Sequence, residues 1–379
     1  MDAIYLARDD AFDVDAWSGT PHWMGRALSS AGFNLDYVCP LRGGFPFYYK
    51  VKSRFIRSLG WGYAPEGEWA FLKKYGRDAT RRLRGSSARV VLSCGKPHLV
   101  FLETHLPIIF FDDASTPAIT RTHPGHVNFF PPVNRRLLAA ERRVLDKCLY
   151  ACYASDWAAE AALKVYGSAY EKKIKVIPFG ANMEVPRQRA DIEKIIAARE
   201  PGKCNLLFIG RYWEAKGGPV ALAVAEELHR RGVPVQLDVV GCAPTTEVPE
   251  FVKVHGFVSK KSVEGHSKLE RLFREAHFLI VPTRFEAYGL VFVEASSYGL
   301  PSLGTEIGGV TTIIRNGANG RRFDLAAPAA QYADYMQNLL GDSTAYEALS
   351  RSSFLEYEQR LNWKTFGDAV RDLVRASLN

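Results

Sequence analysis

Between residues 206 and 315, short apolar runs and amphipathic stretches take turns, and few architectures tolerate that rhythm. Runs at 206–209, 236–240, 254–257, 278–281 and 301–304 read as strands, since each is short, apolar and bounded by turn residues. Between them, 219–231, 269–276, 291–299 and 310–315 repeat apolar residues every three or four positions, as helices with one covered face do. Strands alternating with helices imply a parallel sheet with helices on both faces. The first half carries the same pattern more faintly, with strands at 90–93, 99–101, 108–111 and 175–178 and helices at 134–150 and 156–166. A polar, charged stretch at 182–203, holding Pro186 and Pro201, separates the halves and reads as a connection between domains. At 379 residues and 47% hydrophobic, the chain can fill two cores. The expected class is therefore α/β. Two doubly wound Rossmann-like domains, 1–183 and 184–362, would leave an interdomain cleft beyond the carboxyl ends of their strands, where ligands sit in such folds.

Composition removes several alternatives. The six cysteines, Cys39, Cys94, Cys148, Cys152, Cys204 and Cys242, lack the paired spacings of zinc sites and disulfide frameworks, so they read as buried thiols of a reducing compartment. The acidic start MDAIYLARDDAFDVDAW has no basic region leading into an apolar core, as a signal peptide would, and no apolar stretch approaches transmembrane length. The expected location is cytoplasmic. A net charge of +8 points to an anionic partner, while no nucleic-acid-binding module motif is present.

The strongest chemical signal is PTRFEAYGLVFVEASSYGLP at 282–301, where seven residues separate Glu286 from Glu294 across a turn that leads from strand to helix. Unpaired N–H groups at a helix start attract phosphate, and carboxylates accept hydrogen bonds from sugar and ribose hydroxyls. A nucleotide sugar offers both. A second junction, GRYWEAKGGP, leaves the strand 206–209 through Gly210 and Arg211 and enters a helix through Lys216, Gly217, Gly218 and Pro219. Arg211 suits bidentate contact with phosphate oxygens, Lys216 adds a point charge, and the glycines permit close backbone approach. It is not a Walker A loop, which would need Gly-Lys-Ser/Thr. A further glycine turn, TEIGGVTTIIR, places Gly308 and Gly309 ahead of a helix, where their amides could meet phosphate.

Together these residues resemble the signature of the retaining glycosyltransferases of family 4, the glycosyl transferases group 1, which have the two-domain GT-B fold. The likeness is strong over 203–324, fair over 174–182 and thin before 111. It implies Glu286 beside the sugar of the donor, Glu294 on the nucleotide ribose, and Arg211 and Lys216 on the diphosphate. Gly210, Ala287, Tyr288, Gly289 and Leu290 would complete the donor site. In the first domain, AWSGTPHWM carries Gly19 where the family has a glycine-bearing loop reaching toward the diphosphate and the acceptor. His22 beside it, and Asp113 in FFDDAS, are the implied acceptor-binding residues, with Asp113 also counted among the catalytic group. The resemblance further implies transfer with retention and no generally accepted carboxylate nucleophile, no metal and no other cofactor, and a last helix, 363–379, that returns to the first domain. Thr312 departs from the pattern, standing where the family usually has glutamate. His123 and His126, in THPGH, receive no role. The alternatives are a nucleotide-sugar epimerase and a catalytically silent protein that docks on membranes or nucleic acid.

One more stretch bears on the acceptor. Read as a helix, FYYKVKSRFIRSLGW at 47–61 gathers Phe47, Val51, Phe55 and Leu59 on one side and Lys50, Arg54 and Arg57 on the other. Lys73, Arg77, Arg81 and Arg84 follow at helical spacing. Two readings stay open: an anionic membrane surface carrying a lipid-linked acceptor, with the protein peripheral on the inner face, or helices that pack inward and leave basic faces to solvent.

Overall fold

A computed structural model describes residues 1–42, 47–64, 67–122, 130–184 and 187–378. His123 and His126 lie outside the described residues. By its internal contacts the chain divides into two units, Met1–Phe179 with Trp363–Asn379, and Gly180–Asn362. The first break falls at Phe179 rather than at residue 183.

The first unit runs β1 (Asp2–Ala7), α1 (Thr20–Ser30), β2 (Asn34–Val38), α2 (Phe47–Ser58), α3 (Trp69–Leu83), β3 (Val90–Cys94), β4 (Ile108–Asp112), α4 (Thr116–Thr122), α5 (Pro131–Lys147), β5 (Tyr150–Tyr153), α6 (Asp156–Tyr166) and β6 (Ile174–Val176). Its strands form one parallel sheet in the order β2-β1-β3-β4-β5-β6. Every residue of β3 and β4 is buried, because helices cover both faces, and this is why those strands read as unbroken apolar runs. The stretch 99–101 is no strand. It starts inside a 3-10 turn, Pro97–Leu99, that Pro97 begins, and three apolar residues carry no periodicity that could have separated the two outcomes. The helix expected over 134–150 stops at Lys147, and its last residue already belongs to β5.

The second unit runs α7 (Arg189–Ala198), β7 (Cys204–Ile209), α8 (Gly218–Arg230), β8 (Val235–Val240), β9 (Val252–Gly256), α9 (Val263–Glu275), β10 (Phe278–Val281), α10 (Leu290–Ser296), β11 (Ser302–Thr305), α11 (Val310–Ile313), β12 (Gly320–Phe323), α12 (Ala329–Leu340) and α13 (Ser343–Arg360). Its parallel sheet has the order β12-β11-β10-β7-β8-β9, so β7 and β10, the strands that lead into the two motifs, are direct neighbours. The polar connection expected at 182–203 contains α7, whose Ile192, Ile195 and Ile196 are buried. Its charged residues had masked a spacing of three and four that is helical.

The last helix, α14 (Trp363–Leu378), rejoins the first unit and packs on α1. A Cβ on Gly367 would lie 2.7 Å from the Ala27 carbonyl oxygen, so the absent side chain is what lets the two backbones approach. Phe366 fills the seam, its ring centroid 5.1 Å from that of Phe111 and 5.9 Å from that of Phe179.

Candidate active site

Two loops of the second unit, about 70 residues apart in sequence, interlock at the carboxyl ends of β7 and β10. Gly217 takes φ +77°, and a Cβ there would lie 1.8 Å from the Pro282 carbonyl oxygen, so only glycine fits. The Ala215 carbonyl accepts from the Arg284 N–H at 2.9 Å and from the Thr283 hydroxyl at 3.2 Å. Held by this clasp, the Lys216 ammonium sits 2.6 Å from a carboxylate oxygen of Glu286. Gly210 and Gly289 make the room: a Cβ on Gly210 would stand 2.8 Å from Lys216 Cγ, and one on Gly289 would stand 3.1 Å from Glu286 Cγ. Gly289, at φ +99°, also caps the start of α10.

Glu294 lies on α10, buried, and its cationic partner is Lys260 rather than Lys216. Lys260 comes from the connection between β9 and α9, and sequence reasoning passed it over, since a lysine pair in a polar loop has no spacing that marks it. Arg211 is exposed and makes no hydrogen bond or ion pair with a described residue. Ala287 and Leu290 are half-buried and Tyr288 is buried. The second unit thus holds two lysine–carboxylate pairs, Lys216–Glu286 in the loops and Lys260–Glu294 on α10, and an exposed guanidinium.

The glycine turn at 308–309 braces the site. A Cβ on Gly308 would meet the Glu286 carbonyl oxygen at 2.0 Å, one on Gly309 would meet that of Ala287 at 2.3 Å, and the Gly309 N–H donates to the Glu286 carbonyl at 3.2 Å. The Gly309 amide, expected to face phosphate, is therefore engaged by the backbone of Glu286. Thr312 is buried on α11, and its carbonyl accepts from Arg360 at 2.8 Å. A further support escaped sequence reasoning entirely. Arg199, buried after α7, donates to the carbonyls of Gly299 at 2.9 Å and Tyr298 at 3.2 Å, satisfying backbone acceptors just past α10.

The remaining candidates, Gly19, His22 and Asp113, lie in the first unit. Gly19 caps α1 at φ +86°, preceded by Trp17 and Ser18, also at positive φ. The Trp17 indole N–H donates to Asp113 at 3.2 Å, which joins the glycine-bearing loop to the end of β4. Burial, with Asp112 adding to it, pushes the Asp113 carboxyl up to about 7. His22 is bonded through Nδ1 to the Ala11 carbonyl at 3.3 Å, an ordinary contact of a helix start.

Asp112 serves differently, because successive strand residues face opposite sides of a sheet. It accepts from Lys96 at 2.8 Å, and Lys96 also lies 3.2 Å from Glu141. Burial alone would lower the Lys96 ammonium, but these two carboxylates hold it well above the usual lysine value. Glu141 accepts further from the hydroxyls of Tyr153 and Tyr166, each at 2.8 Å. Lys96, Asp112 and Glu141 line a cavity of about 240 Å³ whose other walls include Leu72, Val100 and Leu137.

Residues 203–342 match the family described as glycosyl transferases, group 1, a span that contains both interlocked loops. Over that span the chain is similar to the group 1 glycosyltransferases. Over 226 residues it is 26% identical to the D-inositol 3-phosphate glycosyltransferase of Segniliparus rotundus, covering 57% of this chain and 50% of that protein. Over 247 residues it is 28% identical to the protein of the same name from Arthrobacter sp. strain FB24, covering 62% and 57%. The chain thus spans about half the length of the curated relatives it matches. Among solved structures, the sucrose-phosphate synthase of Thermosynechococcus elongatus is similar with a TM-score of 0.71 at 16% identity, covering 100% of this chain and 98% of that one. Anabaena HepE, solved in complex with UDP and glucose, gives 0.64 at 13% identity, covering 98% and 99%. The fold of the chain is GT-B, as the resemblance implied.

Proposed function

We propose that the chain transfers a glycosyl group, with retention, from a nucleotide-diphosphate sugar to an acceptor hydroxyl. The observation that carries this reading is the Lys216–Glu286 pair, held at 2.6 Å by two interlocked loops at the carboxyl ends of neighbouring parallel strands. In the reaction, the bond from the anomeric carbon to the diphosphate breaks and a bond to the acceptor oxygen forms on the same face. The acceptor proton passes to the leaving diphosphate. Arg211 and Lys216 stabilise the charge that grows on that diphosphate, and Glu286 and Glu294 accept hydrogen bonds from the sugar and the ribose. Asp113, with a carboxyl that titrates near neutrality, orients the acceptor hydroxyl. The positive field comes from side chains, so the proposal requires no metal, and turnover is expected to survive a chelator. The acceptor is a hydroxyl on a glycan, a small molecule or a lipid-linked carrier, and the proposed place of work is the cytoplasmic face of a membrane.

Lys216→Ala is expected to lower nucleotide release from the sugar donor by about 100-fold or more, as removal of one stabiliser of a developing anion does. A thermal-shift screen against UDP, GDP, ADP and dTDP sugars would single out the donor, since the right one raises the melting temperature by mass action. Proton NMR of the first-formed product reads the anomeric configuration. Inversion would refute retention, and no response to any nucleotide sugar would refute the function.

A further inference from the structure

Helix α2 turns its apolar stripe away from the protein. Its buried residues are Tyr49 and Ile56, two turns apart, and Lys52 fastens the same side to Glu68 at 2.6 Å. Phe47, Tyr48, Val51 and Phe55 remain 79%, 63%, 52% and 64% exposed, with Leu59 and Trp61 continuing the exposed surface beyond the helix. At about 100° per residue, Phe47, Val51, Phe55 and Tyr48 fall within one band roughly 100° wide, centred about 140° around the helix from Tyr49 and Ile56. Arg54, Lys50 and Arg57 form a second band along one edge of the first, also exposed. The cations therefore do not lie opposite the apolar side, and the inward-packing reading fails for this helix. No acidic residue occurs from 47 to 61.

We infer that this face of α2 docks on an anionic lipid bilayer, with the Phe47–Val51–Phe55 band entering the acyl boundary and Lys50, Arg54 and Arg57 lying among the headgroups. A strip of large apolar side chains flanked by cations matches a surface that is apolar beneath and negative above, and aromatic residues such as Tyr48 and Trp61 suit the boundary itself. Each cation near an anionic leaflet adds attraction that salt weakens. The inference deepens the proposed work at a membrane and rests on that reading for its setting, while its evidence lies in α2 alone.

The test is co-sedimentation of the full chain with vesicles of phosphatidylcholine alone or mixed with phosphatidylglycerol, at low and high salt. Binding is expected to the mixed vesicles only, to weaken with salt, and to fall at least about tenfold in Phe47→Ser/Phe55→Ser and again in Arg54→Gln/Arg57→Gln. Both variants alter exposed side chains, and each should keep the wild-type affinity for the sugar donor, whose site lies in the other unit. Equal binding to neutral vesicles, or vesicle binding unchanged in the variants, would overturn the inference. So would concentration-dependent dimerisation of the wild type that the phenylalanine variant abolishes, because a second copy would then be the occupant. Failure of the wild-type chain to bind either kind of vesicle, with its nucleotide binding intact, refutes the membrane role and leaves the transfer reaction standing.

Discussion

Lys260 is the residue whose replacement would say most about the proposed sugar-donor site. It is the cation bonded to Glu294, a carboxylate with 6% of its side chain exposed. Lys260→Met leaves that carboxylate without its charged partner, a change of about 1–3 kcal/mol in the alignment of an acceptor group. The expected result is a KM for the sugar donor raised roughly ten- to hundredfold with kcat less affected, and Lys260→Arg should restore much of it. An unchanged KM would remove Lys260 from the site. Asp113 gives a pH-dependent test. Its folded carboxyl titrates at about 7, above the usual carboxylate range, so the stability tied to its protonated form is present at acid pH and lost as pH rises through about 7. Asp113→Asn has no such dependence. The variant should gain on the wild type as pH rises, flattening above about 7, and urea unfolding of both proteins across that range reads it directly. Parallel profiles would show that Asp113 ionises as freely as an exposed residue.

Among the elements, what could be read from sequence and what could not divides along physical lines. The strands and helices of 206–315 were legible, because burial on both sheet faces writes itself into unbroken apolar runs and the helices keep their period. Both motif loops were legible for a related reason, since Gly217 and Gly289 stand where the backbone adopts positive φ. Gly217→Ala, adding a strained φ and a collision with Pro282, is expected to lower the stability of the second unit by about 3 kcal/mol, measurable by urea unfolding. Lys260, Arg199 and the Thr283–Ala215 clasp were not legible. Each is a tertiary contact from a loop or a helix end, and no local period records such a contact. Helix α2 shows the same boundary in another form. Spacing told which residues share a side, but only the packing of Tyr49 and Ile56 decided which side meets the protein.

At the scale of the whole molecule, acid should loosen both units. Burial, with Arg8 adding to it, lowers His98 in the first unit to about 3, and burial with Arg199 lowers His277 in the second to about 4. Unfolded histidines take up protons below about 6.5, so stability falls as pH drops from there toward these lowered values, opposite in sign to Asp113. Unfolding midpoints followed by urea should fall with acid over that window, and His277→Gln should flatten the response of the second unit. The first unit also depends on α14. Phe366→Ala is expected to cost it about 3–5 kcal/mol, visible as earlier urea unfolding of that unit. This arrangement sets an order of events during synthesis. A ribosome delivers the strands of the first unit early, yet the helix that covers α1 emerges only after all of 180–362. The later-made lobe can therefore mature before the earlier one, which waits with an uncovered apolar flank until translation has passed Val374.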